Sequence, residues 1–145
     1  MRNQKLAVDH LRRAEVRLRA LDVLFDAESW ADVVRESQEV VELALKGLLR
    51  ACGVEPPRIH DVADVLEAER TRIPEALQAE LPCLAAASRS LRRDRDLAFY
   101  GAEDLTPSDF YRVADAVLAR DSARLVVRLV LTHLPLGGQA PPERE

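Results

Sequence analysis

At 145 residues the chain has the length of one domain and can bury a sizeable core. Its 48% hydrophobic and 32% charged residues, with 5 glycines and 4% aromatics, favour helix over sheet. The formal charge of -4 argues against a protein that coats nucleic acid indiscriminately, while leaving room for a local basic site.

No apolar run approaches the length of a membrane span, and no signal-like apolar core follows Met1-Arg2-Asn3-Gln4-Lys5. The expectation is a cytoplasmic protein with no membrane partner. A first helix is predicted from about Gln4 to Ala27, with Ala7, Leu11, Ala14, Leu18, Leu21 and Phe25 as its inward stripe. Lys5, Arg12, Arg13, Arg17 and Arg19 flank that stripe, as a solvated basic face or, as the alternative, a phosphate track. Ser29, with Asp32 three residues on, marks the start of a second helix that Gly53 would stop. Its wide apolar face, Trp30 through Val33, Val34, Val40, Val41, Ala44, Leu45, Leu48 and Cys52, makes it the expected centre of a bundle. Ser37 lies within that face, and Gln38 and Glu42 flank it.

Pro56-Pro57 forces an extended connector, and Asp61 is the expected cap of a short helix through Val62, Val65 and Leu66. A fourth helix is predicted from about Pro74 to Phe99, ended by Gly101. Thr106-Pro107-Ser108-Asp109 should then start a last helix reaching Leu134, with Val113, Val117, Leu125, Leu129 and Val130 inward. Asp121 interrupts that pattern and calls for a partner such as an arginine. Residues 135–145 have no apolar period and are expected to form a disordered tail, leaving 1–134 as the domain. The predicted fold is an all-α, up-and-down helical bundle of four long helices and one short one.

Cys52 and Cys83 have apolar neighbours and form no Cys-x-x-Cys pair, so buried thiols are expected. His10, His60 and His133 sit on separate elements without metal-ligand spacing, and no phosphate-cradling glycine loop occurs. No metal or cofactor is expected.

The remaining chemistry converges on residues 89–100. Leu77, Leu81, Leu84, Ser88, Leu91 and Arg95 fall on one helical face, which sets a guanidinium where leucine would be expected. An unpaired buried charge is costly, so Arg95 should bind a neighbouring helix, a second subunit or anionic ligand oxygens. Arg89, Arg92 and Arg93 add three guanidinium groups, partly offset by Asp94 and Asp96. Arginine's planar fork suits phosphate oxygens, and Tyr100 offers a donor and a stacking face. The structural alternative is a buried bridge from Arg95 to Glu42 or Asp121, with Tyr100 closing the helix end.

Three stretches, Ser37–Leu49, Gly53–Val62 and Leu91–Gly101, resemble the HEPN domain (higher eukaryotes and prokaryotes nucleotide-binding), and together the likeness spans roughly Leu18 to Ala119. The resemblance implies a helical bundle that commonly forms homodimers. It also implies metal-independent ribonuclease toxins, whose arginine is followed four to six residues later by histidine. Such members are often paired with a minimal nucleotidyltransferase as antitoxin, which adenylates a tyrosine near the histidine. Arg95 matches the motif arginine, but Tyr100 stands at the histidine position and Ala102 where that tyrosine would be. An unperturbed tyrosine titrates near ~10, far from the range in which histidine exchanges protons.

The reading is therefore a binding module with a degenerate motif. Arg95 would hold phosphate, Tyr100 would stack or donate, Arg92 would widen the positive field and Asp96 would orient an arginine. The expected partners are a second copy, a minimal nucleotidyltransferase, and nucleotide or RNA. A ribonuclease using Arg95 with Tyr100 or His60 is the alternative, and a structural partner subunit the third.

Overall fold

The helix expected at the centre of the bundle is the one that the other three long helices pack against. The computed structural model describes residues 2–58, 61–100 and 106–134, and the side chains of these except Arg2 and 93–100. In order, the elements are α1 (Arg2–Asp26), α2 (Trp30–Ala51), α3 (Val62–Ala68), a 3-10 turn (Arg70–Arg72), α4 (Glu75–Gln78), α5 (Leu81–Tyr100), α6 (Pro107–Phe110) and α7 (Val113–His133). No strand occurs among the described residues. Val33, Val34, Val40, Val41, Ala44, Leu45, Leu48 and Leu49 of α2 are all buried, against α1, α5 and α7. Truncating one such leucine to alanine typically costs about 2–5 kcal/mol. Ser37 and Gln38 are buried in the same face.

α1 and α2 form an antiparallel pair, joined by the Arg17–Glu36 ion pair at 2.9 Å and by the edge-on Phe25–Trp30 contact at 4.9 Å. Arg17 is thus the member of the basic face that is tied down. α7 runs antiparallel to α1: Asp22 meets Arg120 at 3.3 Å and Arg124 at 2.8 Å, and the Arg120 guanidinium lies 3.7 Å from the Phe25 ring centre. The acid drawing arginines on α7 is therefore Asp22, whereas Asp121 is exposed.

Several boundaries differ from expectation. Ser29 takes the cap position of α2, but its hydroxyl donates to the Asp32 carboxylate instead of accepting a backbone N–H. The helix predicted over 74–99 is two helices. Pro82 lacks an N–H and would clash with the carbonyl four residues back, at Gln78, where α4 ends. Thr106 does start a helix, accepting the Asp109 N–H at 3.3 Å, yet α6 ends after four residues. Tyr111 and Arg112 are extended, and the Arg112 N–H donates to the Asp115 carboxylate at 2.8 Å, which starts α7 afresh. The bundle therefore has four long helices with three short ones among the described residues, not a single short one. Val113, expected in the core, is 49% exposed. Cys83 is exposed and Cys52 half-buried, so neither thiol is as enclosed as predicted. The expected tail, 135–145, lies outside the described residues.

α1 ends in a paired turn: Glu28 N–H bonds the Phe25 carbonyl at 2.9 Å and Ser29 N–H the Leu24 carbonyl at 3.0 Å. This requires φ of +58° at Glu28, a left-handed backbone that costs an L-residue about 1–2 kcal/mol. Glu28→Gly should relieve that cost, less glycine's greater unfolded-state entropy. The expected net effect is a rise of about 1–4 °C in melting temperature by calorimetry, with Glu28→Val lowering it.

Candidate functional site

α5 carries the expected stripe in its described half. Leu81, Leu84, Ser88 and Leu91 are buried, continuing from Leu77 of α4. Arg95 is the next position of that register, four residues beyond Leu91, and the helix runs on to Tyr100. The side chains of Arg95, Asp96 and Tyr100 lie outside the described residues, as does His60. Asp61, beside His60, caps α3 as predicted by accepting the Ala63 N–H at 2.9 Å.

The acids of α3 and the arginines of α5 face one another in antiparallel register. Arg89 binds Asp64 at 2.7 Å and both oxygens of Glu67 at 3.0 Å, while Arg92 approaches Asp61 at 3.8 Å. Hydrogen bonds from Arg89 hold the Glu67 carboxyl below its ordinary range; the bonds to Glu67 and Asp64 raise the guanidinium above its own. Of the guanidinium groups assigned to the site, Arg89 is therefore committed to α3. Arg92, 44% exposed and more loosely held, is open to a further anion. Glu42, one partner considered for Arg95, lies 3.9 Å from Lys46.

One turn before Arg95, Ser90 and Leu91 open onto a cavity of about 110 Å³, whose walls include Val34, Tyr111, Asp115 and Ser122. This notch is well below the ~300–1,000 Å³ of ordinary small-molecule pockets and too small for a nucleotide. Tyr111, 5% exposed, is a wall residue that the sequence reading missed. It sits in the break between α6 and α7, where extended backbone replaces the expected continuous helix. Its ring meets Phe110 edge-on at 5.0 Å. Among the described residues no group of three or more His, Cys, Asp or Glu is placed to hold a metal, and no helix is long and apolar enough to cross a membrane.

A family model of the HEPN domain matches residues 7–131. No curated protein and no solved structure matches the chain.

The Arg89 bridge makes the docking of α3 sensitive to acid. Because the Glu67 pKa is depressed on folding, its contribution is present above the unfolded carboxylate value of about 4.3 and lost as pH falls through the lowered folded value. Amide-exchange protection of α3 should fall on acidification through that window. In Glu67→Gln it should be lower at neutral pH and depend less on pH; an unchanged profile would remove the bridge from the docking of α3.

Proposed function

The chain belongs to the HEPN domain family, and we propose that it binds the phosphate of nucleotide or RNA as a module with a degenerate catalytic motif. In this reading it works as a homodimer paired with a minimal nucleotidyltransferase, in a toxin–antitoxin-like system. The observation that carries the reading is the register of α5, in which the buried positions Leu84, Ser88 and Leu91 lead to an arginine at position 95. Arg95 holds non-bridging phosphate oxygens through its planar fork. Tyr100 stacks on a base or donates a hydrogen bond, Asp96 orients an arginine, and Arg92 adds positive field from its half-exposed position.

The pairing of Asp61 with Arg92 favours a second reading, a metal-independent ribonuclease. It ties the residue after His60 to α5 three positions before Arg95. There Arg95 would stabilise charge on the phosphorane-like transition state, while His60 or Tyr100 took the proton of an attacking ribose hydroxyl.

Fluorescence titration of a labelled single-stranded RNA, with and without AMP as competitor, separates these readings. A charged hydrogen bond contributes about 1.5–3 kcal/mol, so Arg95→Ala should weaken binding by about ten- to a hundredfold at unchanged melting temperature. RNA cleavage that depends on both Arg95 and Tyr100 would replace the binding-only reading with the enzyme. Unfolding of Arg95→Ala, with Arg95→Met stable and binding normally, would assign the arginine to structure. Sedimentation should give a dimer, and co-expression with a nucleotidyltransferase encoded beside it should give a complex.

A further inference from the structure

About 24 Å farther along α2 than Val34, the last turn of the helix forms a second basic site. Its construction begins at Gly47. A Cβ there would lie 3.1 Å from Leu11 Cγ and 3.3 Å from His10 Cβ, so α1 approaches α2 closely enough that a side chain would press on it, and His10 lies next to Lys46 and Arg50. α2 then ends in a paired turn, with Gly53 at φ +78°. The Gly53 N–H bonds the Arg50 carbonyl at 3.1 Å and the Val54 N–H the Leu49 carbonyl at 2.8 Å. These bonds use up helix-end carbonyls that would otherwise repel an anion. Val54 is buried, the chain reverses, and the stiff Pro56-Pro57 segment carries Arg58 back beside the helix end.

The result is a cavity of about 310 Å³ lined by His10, Lys46, Arg50, Glu55, Pro57 and Arg58. Three fixed cations face one carboxylate in a chain whose overall charge is -4. Elsewhere in the bundle, Arg17, Arg89, Arg120 and Arg124 are held in ion pairs with acids of other helices. Arg50 and Arg58 make no ion pair among the described residues, and the Arg50 Nε–H is buried without an acceptor. Among the described residues Lys46 has only its 3.9 Å approach to Glu42. Burial, then Arg50 and Arg13, hold the His10 imidazole below its ordinary pKa, so the ring already senses the positive field.

We propose that this cavity is a phosphate-binding site separate from the α5 site. Arg50 and Arg58 bind the non-bridging oxygens through their forks, Lys46 supplies a point charge, and His10 lines the wall. The same oxyanion is carried by a free nucleotide and by the RNA backbone, and the cavity exceeds the size of a bare phosphate.

The test follows the His10 ring C–H signals by NMR while inorganic phosphate, AMP or a short single-stranded RNA is added. It uses wild type, the Arg50→Gln/Arg58→Gln double variant and Arg95→Ala. At least one probe should shift His10 saturably. The double variant should weaken that response by about tenfold or more, consistent with loss of charge-assisted hydrogen bonds, and Arg95→Ala should leave it unchanged. A response to AMP or inorganic phosphate without RNA assigns a small-molecule phosphate; a response to RNA alone assigns the backbone phosphodiester. Silence of His10 to all three probes, or an equal response in the folded double variant, overturns the site. Should the double variant fail to fold, Lys46→Gln serves in its place with a smaller expected loss. The α5 reading stands or falls separately, on Arg95→Ala.

Discussion

The placement of the other three long helices follows from how completely α2 must be buried. Its valines and leucines occupy too wide an arc for one neighbour to cover, so α1, α5 and α7 are each drawn onto it. Gly47 then fixes how closely α1 approaches, and Leu84, Ser88 and Leu91 fix the rotation of α5. That rotation gives Arg95 its place in the register. The same burial encloses Ser37 Oγ and Gln38 Oε1 without partners among the described residues, at a typical cost of about 1–3 kcal/mol for each unmet group.

Around this apolar axis some arginines are tied to acids of other helices and some are not. Arg17, Arg120 and Arg124 tie α1 to its neighbours, and Arg89 ties α3 to α5. These arginines are half-exposed or better shielded, and each has an acid of another helix within reach. Arg50 and Arg58 have none among the described residues, although the chain as a whole carries more acids than bases. Unmatched cations gathered around a cavity in an acidic protein are a local exception to its composition, and such exceptions are where a ligand of opposite charge finds its place.

Much of the fold was legible because apolar spacing survives in the sequence. α2 was recognisable from its valines and leucines, α3 from Asp61 and the residues after it, and the end of α2 from Gly53. The break at Pro82 was hidden because Leu77, Leu81 and Leu84 keep helical spacing straight across it. Tyr111 was missed for a related reason: the cap at Thr106 was read correctly, but a second start signal, Asp115 acting on Arg112, lay inside the expected helix. The commitment of Arg89 could not be read, since Asp64 and Glu67 lie on another helix whose register is set only by packing. The basic cavity was least visible. Its residues come from α1, α2 and the proline connector, and each alone looks like an ordinary flank. Gly47, in the middle of an otherwise strong helix former, was the signal available, because a helical glycine without a turn to make usually marks a close approach.

The central functional claim, that position 95 presents a ligand-binding guanidinium, is tested most directly by NMR of the arginine Nε–H resonances during titration with single-stranded RNA. The account predicts that the Arg95 resonance shifts saturably while that of Arg89, held by Asp64 and Glu67, stays in place. An Arg95 resonance that does not move as RNA binds elsewhere on the protein would contradict it.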